Sequence, residues 1–218
     1  MIIAPSVLSL DYTKFNESIE VLNSKANWLH FDVMDGHFVD NLSFGPGILY
    51  DFRKSSNLFM DVHLMIDNPF NFVDPFIKAG ADNITFHLEA LDNDINKAID
   101  LIKLIKDRYV KVGVSIKPNT NVNFLEPLLS YLDIVLLMSV EPGFGGQKFI
   151  DSVYEKISYL NKYREINDLS YLIEVDGGVN DENASKLAYY GTDVLVAGSY
   201  IFKNDIKSAI DKLKYITI

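Results

Sequence analysis

Trp28-Leu29-His30-Phe31-Asp32-Val33-Met34-Asp35-Gly36-His37 reads as an apolar β-strand running into a turn. A strand covered on both faces is expected to be Val, Ile, Leu and aromatic throughout. This one carries His30 and Asp32, two residues apart. Side chains alternate along a strand, so the two share a face. An imidazole and a carboxylate on one face of a buried strand must be paired, hydrogen-bonded or bound to a metal.

Seven more short apolar runs accompany it. Residues 2–8 come before; 59–65, 83–87, 110–116, 134–140, 171–175 and 194–197 come after. Helical spacing and capping residues predict helices between them, near 12–24, 48–54, 69–80, 94–106, 122–129 and 152–165. Asn180 or Asp181 caps a further one, and a last helix runs to about Tyr215. Eight strand–helix alternations without a linker or low-complexity tract predict a single-domain α/β fold over residues 1–218. That fold is a (β/α)₈ TIM barrel, with eight parallel strands inside a ring of helices. A doubly wound open sheet is the alternative, but no glycine fingerprint follows the first strand.

Composition excludes several classes. The net charge is −10, which argues against a nucleic-acid binder. With no cysteine, disulfides and thiolate metal sites are impossible, and any metal needs His and carboxylate ligands. Met1 to Ser6 lacks the pattern of a signal peptide, and no apolar run reaches membrane-span length. The expectation is a soluble, cytoplasmic protein with no membrane partner.

In such barrels the active site lies at the C-terminal ends of the strands. The polar residues there are Ser6, His30, Asp32, His63, His87, Lys117, Glu141 and Asp176. Three of the four histidines of the chain are among them, and His37 lies just beyond in the loop. Singly, each histidine reads as a satisfied core residue and each aspartate as a cap or turn. Together, His30, Asp32, His63 and Asp176 make a net-neutral donor set for a divalent cation such as Zn²⁺, Mn²⁺, Fe²⁺ or Co²⁺. Asp32 and Asp176 come from strands three apart around the ring, so they can face one carbon from opposite sides. That suits removal of a proton on one face and return on the other, with a cation stabilising an enediolate between.

Glycine-rich turns follow three adjacent strands: Gly143-Phe144-Gly145-Gly146, Gly177-Gly178 and Gly198-Ser199. Ordinary strand-to-helix turns also use glycine. Three side by side point to a phosphorylated substrate held by backbone N–H groups. Met34, Met65 and Met138 are either core filling or an apolar cover over the site. Lys117-Pro118 reads as a turn, and Glu141 as a loop charge.

His30-Phe-Asp-Val-Met-Asp-Gly-His37, Asp61-Val-His-Leu-Met65, Met138-Ser-Val-Glu-Pro-Gly-Phe-Gly-Gly-Gln147, Glu174-Val-Asp-Gly-Gly-Val179 and Val196-Ala-Gly-Ser199 together resemble the ribulose-phosphate 3-epimerase family. The resemblance runs from Ala4 to Phe202. It implies interconversion of D-ribulose 5-phosphate and D-xylulose 5-phosphate by inversion at C3, in the pentose phosphate pathway. It implies one divalent metal per subunit, zinc, iron, manganese or cobalt, on His30, Asp32, His63 and Asp176. Asp32 and Asp176 are then the catalytic acceptor and donor. Ser6, His63, Gly143, Phe144, Gly145, Gly146, Gly177, Gly178, Gly198 and Ser199 are substrate contacts, the last groups mainly at the phosphate. Homo-oligomers are implied as well.

Two departures from the family pattern are Asp40, where proline is usual, and Ser115 to Thr120, a mild variant. Neither is a proposed ligand. The nearest alternative is an allulose-6-phosphate 3-epimerase, which the Gly-Phe-Gly-Gly and Asp-Gly-Gly-Val segments disfavour. A non-catalytic phosphate-binding barrel would not need two carboxylates and two histidines together. An aldose–ketose isomerase needs one carboxylate base rather than a metal between two.

Overall fold

A computed structural model describes residues 1–216 of the chain; the last two of the 218 residues assigned to the domain lie outside the described residues. Eight strands occupy Ile2–Pro5 (β1), Trp28–Met34 (β2), Phe59–Met65 (β3), Asn83–His87 (β4), Lys111–Ile116 (β5), Ile134–Met138 (β6), Leu172–Asp176 (β7) and Val194–Ala197 (β8). Every strand pair is parallel, and the order β1-β8-β7-β6-β5-β4-β3-β2 runs round a ring. This is the expected barrel, and it excludes the open doubly wound sheet. The seam between β1 and β2 is the thinnest. Ser6 and His30 form one parallel bridge there, and Asn27 exchanges two 3.2 Å hydrogen bonds with the Ile3 backbone.

Helices Phe15–Lys25 (α1), Pro46–Ser55 (α2), Val73–Ala79 (α3), Ile95–Lys106 (α4), Val153–Ile166 (α5), Ala184–Tyr190 (α6), Ser199–Phe202 (α7) and Ile206–Lys214 (α8) surround the ring. α4 shows why they form. Asp94 accepts hydrogen bonds from the Asn96 and Lys97 N–H groups, and Ala98, Leu101, Ile102 and Ile105 make one buried stripe. That stripe packs against the outward faces of the strands. Leu29, Phe31 and Val33 of β2 belong to the same core, with Phe52 of α2 edge-on to Phe31 at 5.1 Å.

Several boundaries differ from the sequence expectation, three of them as follows. β1 stops at Pro5, and Val7–Ser9 is a 3₁₀ turn. The helix expected over residues 122–129 is two 3₁₀ turns, Val122–Leu125 and Leu129–Tyr131. Pro127 has no N–H to continue the first turn. The last helix is split, because Asp205 caps a new start by accepting from the Ser208 N–H. Among the described residues, no helix is long and apolar enough to cross a membrane.

The inward faces of the strands differ sharply around the ring. β8 contributes Val194 and Val196, and β6 contributes Leu136 and Met138. The opposite wall is polar and buried: His30, Asp32, Asp61, His63, Asn83 and Thr85.

Candidate active site

Pairing in register sets the site. Asp32 of β2 lies beside His63 of β3, and Met34 beside Met65. Asp176 of β7 lies beside Val196 of β8. Donor atoms of His30, Asp32, His63 and Asp176 all fall within 4.8 Å of one another at the mouth of the barrel. The expected ligand set is therefore brought together from three strands. His37 is turned out to solvent, with a side chain 78% exposed.

The donor set fits a divalent cation. His30 Nδ1 lies 2.6 Å from Asp61 Oδ2, so the N–H there is taken. Its Nε2 is buried with no hydrogen-bond partner, 3.3 Å from Asp32 Oδ1. A histidine held through one nitrogen by a carboxylate, with the other lone pair free, is the usual arrangement of a metal ligand. Two nitrogens and two carboxylates suit Zn²⁺, Mn²⁺, Fe²⁺ or Co²⁺. A second trio, His30, Asp61 and Glu174, lies deeper and could also hold an ion. There His30 offers only the nitrogen already bonded to Asp61, so these carboxylates act as support for His30.

Electrostatics point the same way. Burial opposes a charged His30, yet the Asp32 and Asp61 carboxylates outweigh it and raise its pKa well above the ordinary value. Burial and the Asp61 charge push the Glu174 pKa well above the ordinary value. Burial, then the Asp32 charge, pushes Asp176 up to about 7. Burial would raise Asp32 too, but the neighbouring His30 charge pulls it far below the usual carboxylate range. Burial takes His63 down to about 4. Protons are thus drawn to a site with surplus negative charge, which a bound cation would neutralise. Two neighbouring carboxyls with pKa values driven apart are also the arrangement of an acid–base pair.

Above the cluster opens a cleft of about 530 Å³. Asp32 and Asp176 lie in its floor and Met34, Met65 and Met138 in its wall. Ser6 lines it as well, and its Oγ donates to Asp32 Oδ2 at 2.5 Å. Gly143, Phe144, Gly145 and Gly146 form one rim. Asn41 Nδ2 donates to the Gly143 carbonyl at 2.7 Å, and Gln147 Nε2 donates to the Glu141 and Phe144 carbonyls. The β6 loop is thereby tied to the β2 loop. Gly177, Gly178, Gly198 and Ser199 line the far side. Gly177 has φ +121°, and a Cβ there would lie 2.6 Å from Val140 Cγ2 and 2.8 Å from Val140 N. No other residue fits that turn without strain. Of the expected substrate contacts, His63 alone is not in the cleft; it is fully buried behind Asp32.

Comparison with known proteins agrees with this geometry. The model of the ribulose-phosphate 3 epimerase family matches residues 2–202. The chain belongs to the ribulose-phosphate 3-epimerase family. A ribulose-phosphate 3-epimerase of Chlamydia muridarum is 43% identical over 208 residues, covering 94% of this chain and 90% of its own. One from Treponema pallidum is 41% identical, covering 96% and 95%. Solved structures give the fold alone. A tryptophan synthase α-subunit mutant from Pyrococcus furiosus aligns with a TM-score of 0.68 at 16% identity, covering 99% of this chain and 97% of its own. A 3-hexulose-6-phosphate synthase aligns at 0.67 and 17%, covering 97% and 96%.

Around the expected ligand set stand residues that sequence reading left without a role: Asp61, Glu174, His87 and Glu89. A period of two links Asp61 to His63 and Glu174 to Asp176, as it links His30 to Asp32. That signal was present for the first two. Glu89 lies beyond the end of β4, where strand alternation no longer applies, and turns back to His87 Nδ1, two residues earlier, at 3.2 Å. Lys117 is a turn residue as expected, with its ammonium 4.2 Å over the Phe38 ring. Asp40 is exposed in its loop.

Proposed function

We propose that this enzyme inverts C3 of D-ribulose 5-phosphate to give D-xylulose 5-phosphate, and the reverse, by two-base proton transfer through an enediolate. The single observation that supports it best is the Asp32–Asp176 pair, reaching one cluster from β2 and β7 with opposed pKa shifts. The ionised Asp32 takes the C3 proton from one face. The protonated Asp176 returns a proton to the other, and the roles exchange in reverse. Ser6 Oγ–H holds Asp32 in orientation. Met34, Met65 and Met138 keep water from the reacting carbon. Backbone N–H groups of Gly177, Gly178, Gly198 and Ser199 hold the phosphate, and Gly143 to Gly146 cover the sugar.

His30, Asp32, His63 and Asp176 would hold one divalent cation per subunit, zinc, iron, manganese or cobalt. When bound it supplies positive charge opposite the oxygens on which negative charge develops. Cytoplasmic residence and assembly into homo-oligomers complete the proposal; cell fractionation and analytical ultracentrifugation test them.

The test is turnover of D-ribulose 5-phosphate before and after chelation, with each metal added back. Activity lost with chelator and restored by metal supports the whole reading. Chelator-resistant turnover removes the metal and keeps the epimerase. Turnover of D-allulose 6-phosphate in preference moves the substrate to the six-carbon sugar. Phosphosugar binding with no turnover of either makes the barrel non-catalytic. Asp176→Asn is expected to lower turnover by about 10²–10⁴-fold, the usual contribution of one acid–base group.

A further inference from the structure

His87 and Glu89 take no part in the chemistry above, yet both are built into the wall behind it. His63 Nδ1 faces Asp32 Oδ1 at 3.1 Å, and its Nε2 faces His87 Nε2 at 2.9 Å. His87 Nδ1 in turn faces Glu89 Oε2 at 3.2 Å. Both rings are fully buried. The row carboxylate–imidazole–imidazole–carboxylate has three gaps. Two neutral imidazoles carry two N–H protons, so one gap goes without.

The far end determines which gap that is. Glu89 Oε1 accepts from the Lys117 backbone N–H at 2.7 Å and from the Thr120 hydroxyl. Burial would raise the Glu89 pKa, but His87 and these donors hold it down at about 2. Lys156 Nζ fastens the same loop by donating to the carbonyls of Lys117, Pro118 and Thr120 at 3.0, 2.7 and 2.7 Å. An ionised carboxylate only accepts, so His87 must present Nδ1–H to it. His87 Nε2 is then a lone pair, His63 donates to it from Nε2, and His63 Nδ1 is left bare.

We infer that Glu89 and His87 are positioning residues that fix His63 as its Nε2–H tautomer and reserve its Nδ1 lone pair for a divalent cation. The inference rests on the metal reading proposed above.

Glu89→Gln tests it with almost no change of shape. The Lys117 N–H is main chain and cannot turn away, so the amide oxygen must stay facing it. The amide NH₂ then donates to His87 Nδ1. The row reverses, and His63 carries its proton on Nδ1, where the cation belongs. Chelator-stripped wild type and variant are titrated with Co²⁺, followed by the visible absorption of the bound ion. The variant is expected to bind about 10–100-fold more weakly, the usual effect of losing such an outer partner. ¹⁵N NMR reads the histidine tautomers: His63 Nε2–H in the zinc-loaded wild type, and Nδ1–H in the stripped variant. A purely structural Glu89 would lower the melting temperature and leave tautomer and affinity unchanged. Cobalt affinity within twofold of wild type overturns the inference. So does a zinc-loaded wild type with His87 protonated at Nε2, which needs no variant. A wild type that binds no cobalt removes the metal reading and this inference with it, whereas normal wild-type binding with an unchanged variant removes this inference alone.

Discussion

Gly113→Ala places a methyl group inside the barrel where the wall is already full. Gly113 of β5 pairs with Thr85 of β4 and Ile134 of β6. The new Cβ would overlap Thr85 Oγ1, with Thr85 Cβ at 3.1 Å and Ile134 Cβ at 3.3 Å. Overpacking of this kind costs about 1–3 kcal/mol. Thr85 can retreat only by giving up the bond it accepts from Asn83 Nδ2 at 2.9 Å, about 1 kcal/mol more. The stiffer unfolded chain returns about 0.5 kcal/mol, leaving a net loss of roughly 1.5–3.5 kcal/mol. Urea unfolding reads this as a lower midpoint at unchanged slope. Thr85→Ala removes the overlapping oxygen, so the double variant should recover about 1–2 kcal/mol relative to the sum of the singles. The strain also points at the site, since Asn83 Nδ2 donates to Asp61 Oδ1 and Asp61 holds His30. Metal affinity should therefore weaken along with stability. A Gly113→Ala protein within 0.5 kcal/mol of wild type, or strict additivity with Thr85→Ala, would refute the packing argument.

Three further outcomes are expected. Glu89 is held at about 2 against an ordinary 4.5, so its stabilising contribution, about 3 kcal/mol, is complete above pH 4.5 and fades as pH falls towards 2. Between pH 5.5 and 3.5 wild type should lose about 1 kcal/mol more than Glu89→Gln in urea titrations, and parallel losses would contradict this. Ser6→Ala removes the hydroxyl that donates to Asp32 Oδ2; turnover should fall about tenfold, the effect of one charge-assisted bond, while the melting temperature stays within a few degrees. Gly177→Ala pushes against Val140 side chain and backbone beside the phosphate position, so KM should rise at least about tenfold with a smaller change in kcat. Unchanged KM would place the phosphate elsewhere.

Much of this was readable in advance, for a physical reason. Strand alternation is local, so polar residues two apart in an apolar run, as in His30 and Asp32, announce an inward-facing site before any folding is considered. Applied with the same rigour, the rule would have added Asp61 and Glu174, whose partners His63 and Asp176 had already been singled out. The helix expected at 122–129 failed because apolar spacing says nothing of Pro127, which breaks the backbone ladder that the spacing assumes. Glu89 was out of reach for a different reason. Its meaning lies in Thr120 and the Lys117 N–H arriving from the loop after β5, and a glutamate after a strand otherwise reads as a solvated charge.

The lightly stitched seam between β1 and β2 has a consequence for cooperativity. From Asp32 on β2 to Asp176 on β7, the short way round the ring crosses that seam. The donor set is therefore whole only when the cylinder is shut, and gathering the ligands and closing the circle become a single event. An ion shared by those two carboxylates would act as a rivet across the join. At a hundred times its dissociation constant it would add about 2.7 kcal/mol to holding the barrel closed. The chain's weakest mechanical line and its chemical centre then open and shut together, so an unmetallated protein should breathe first along β1 and β2.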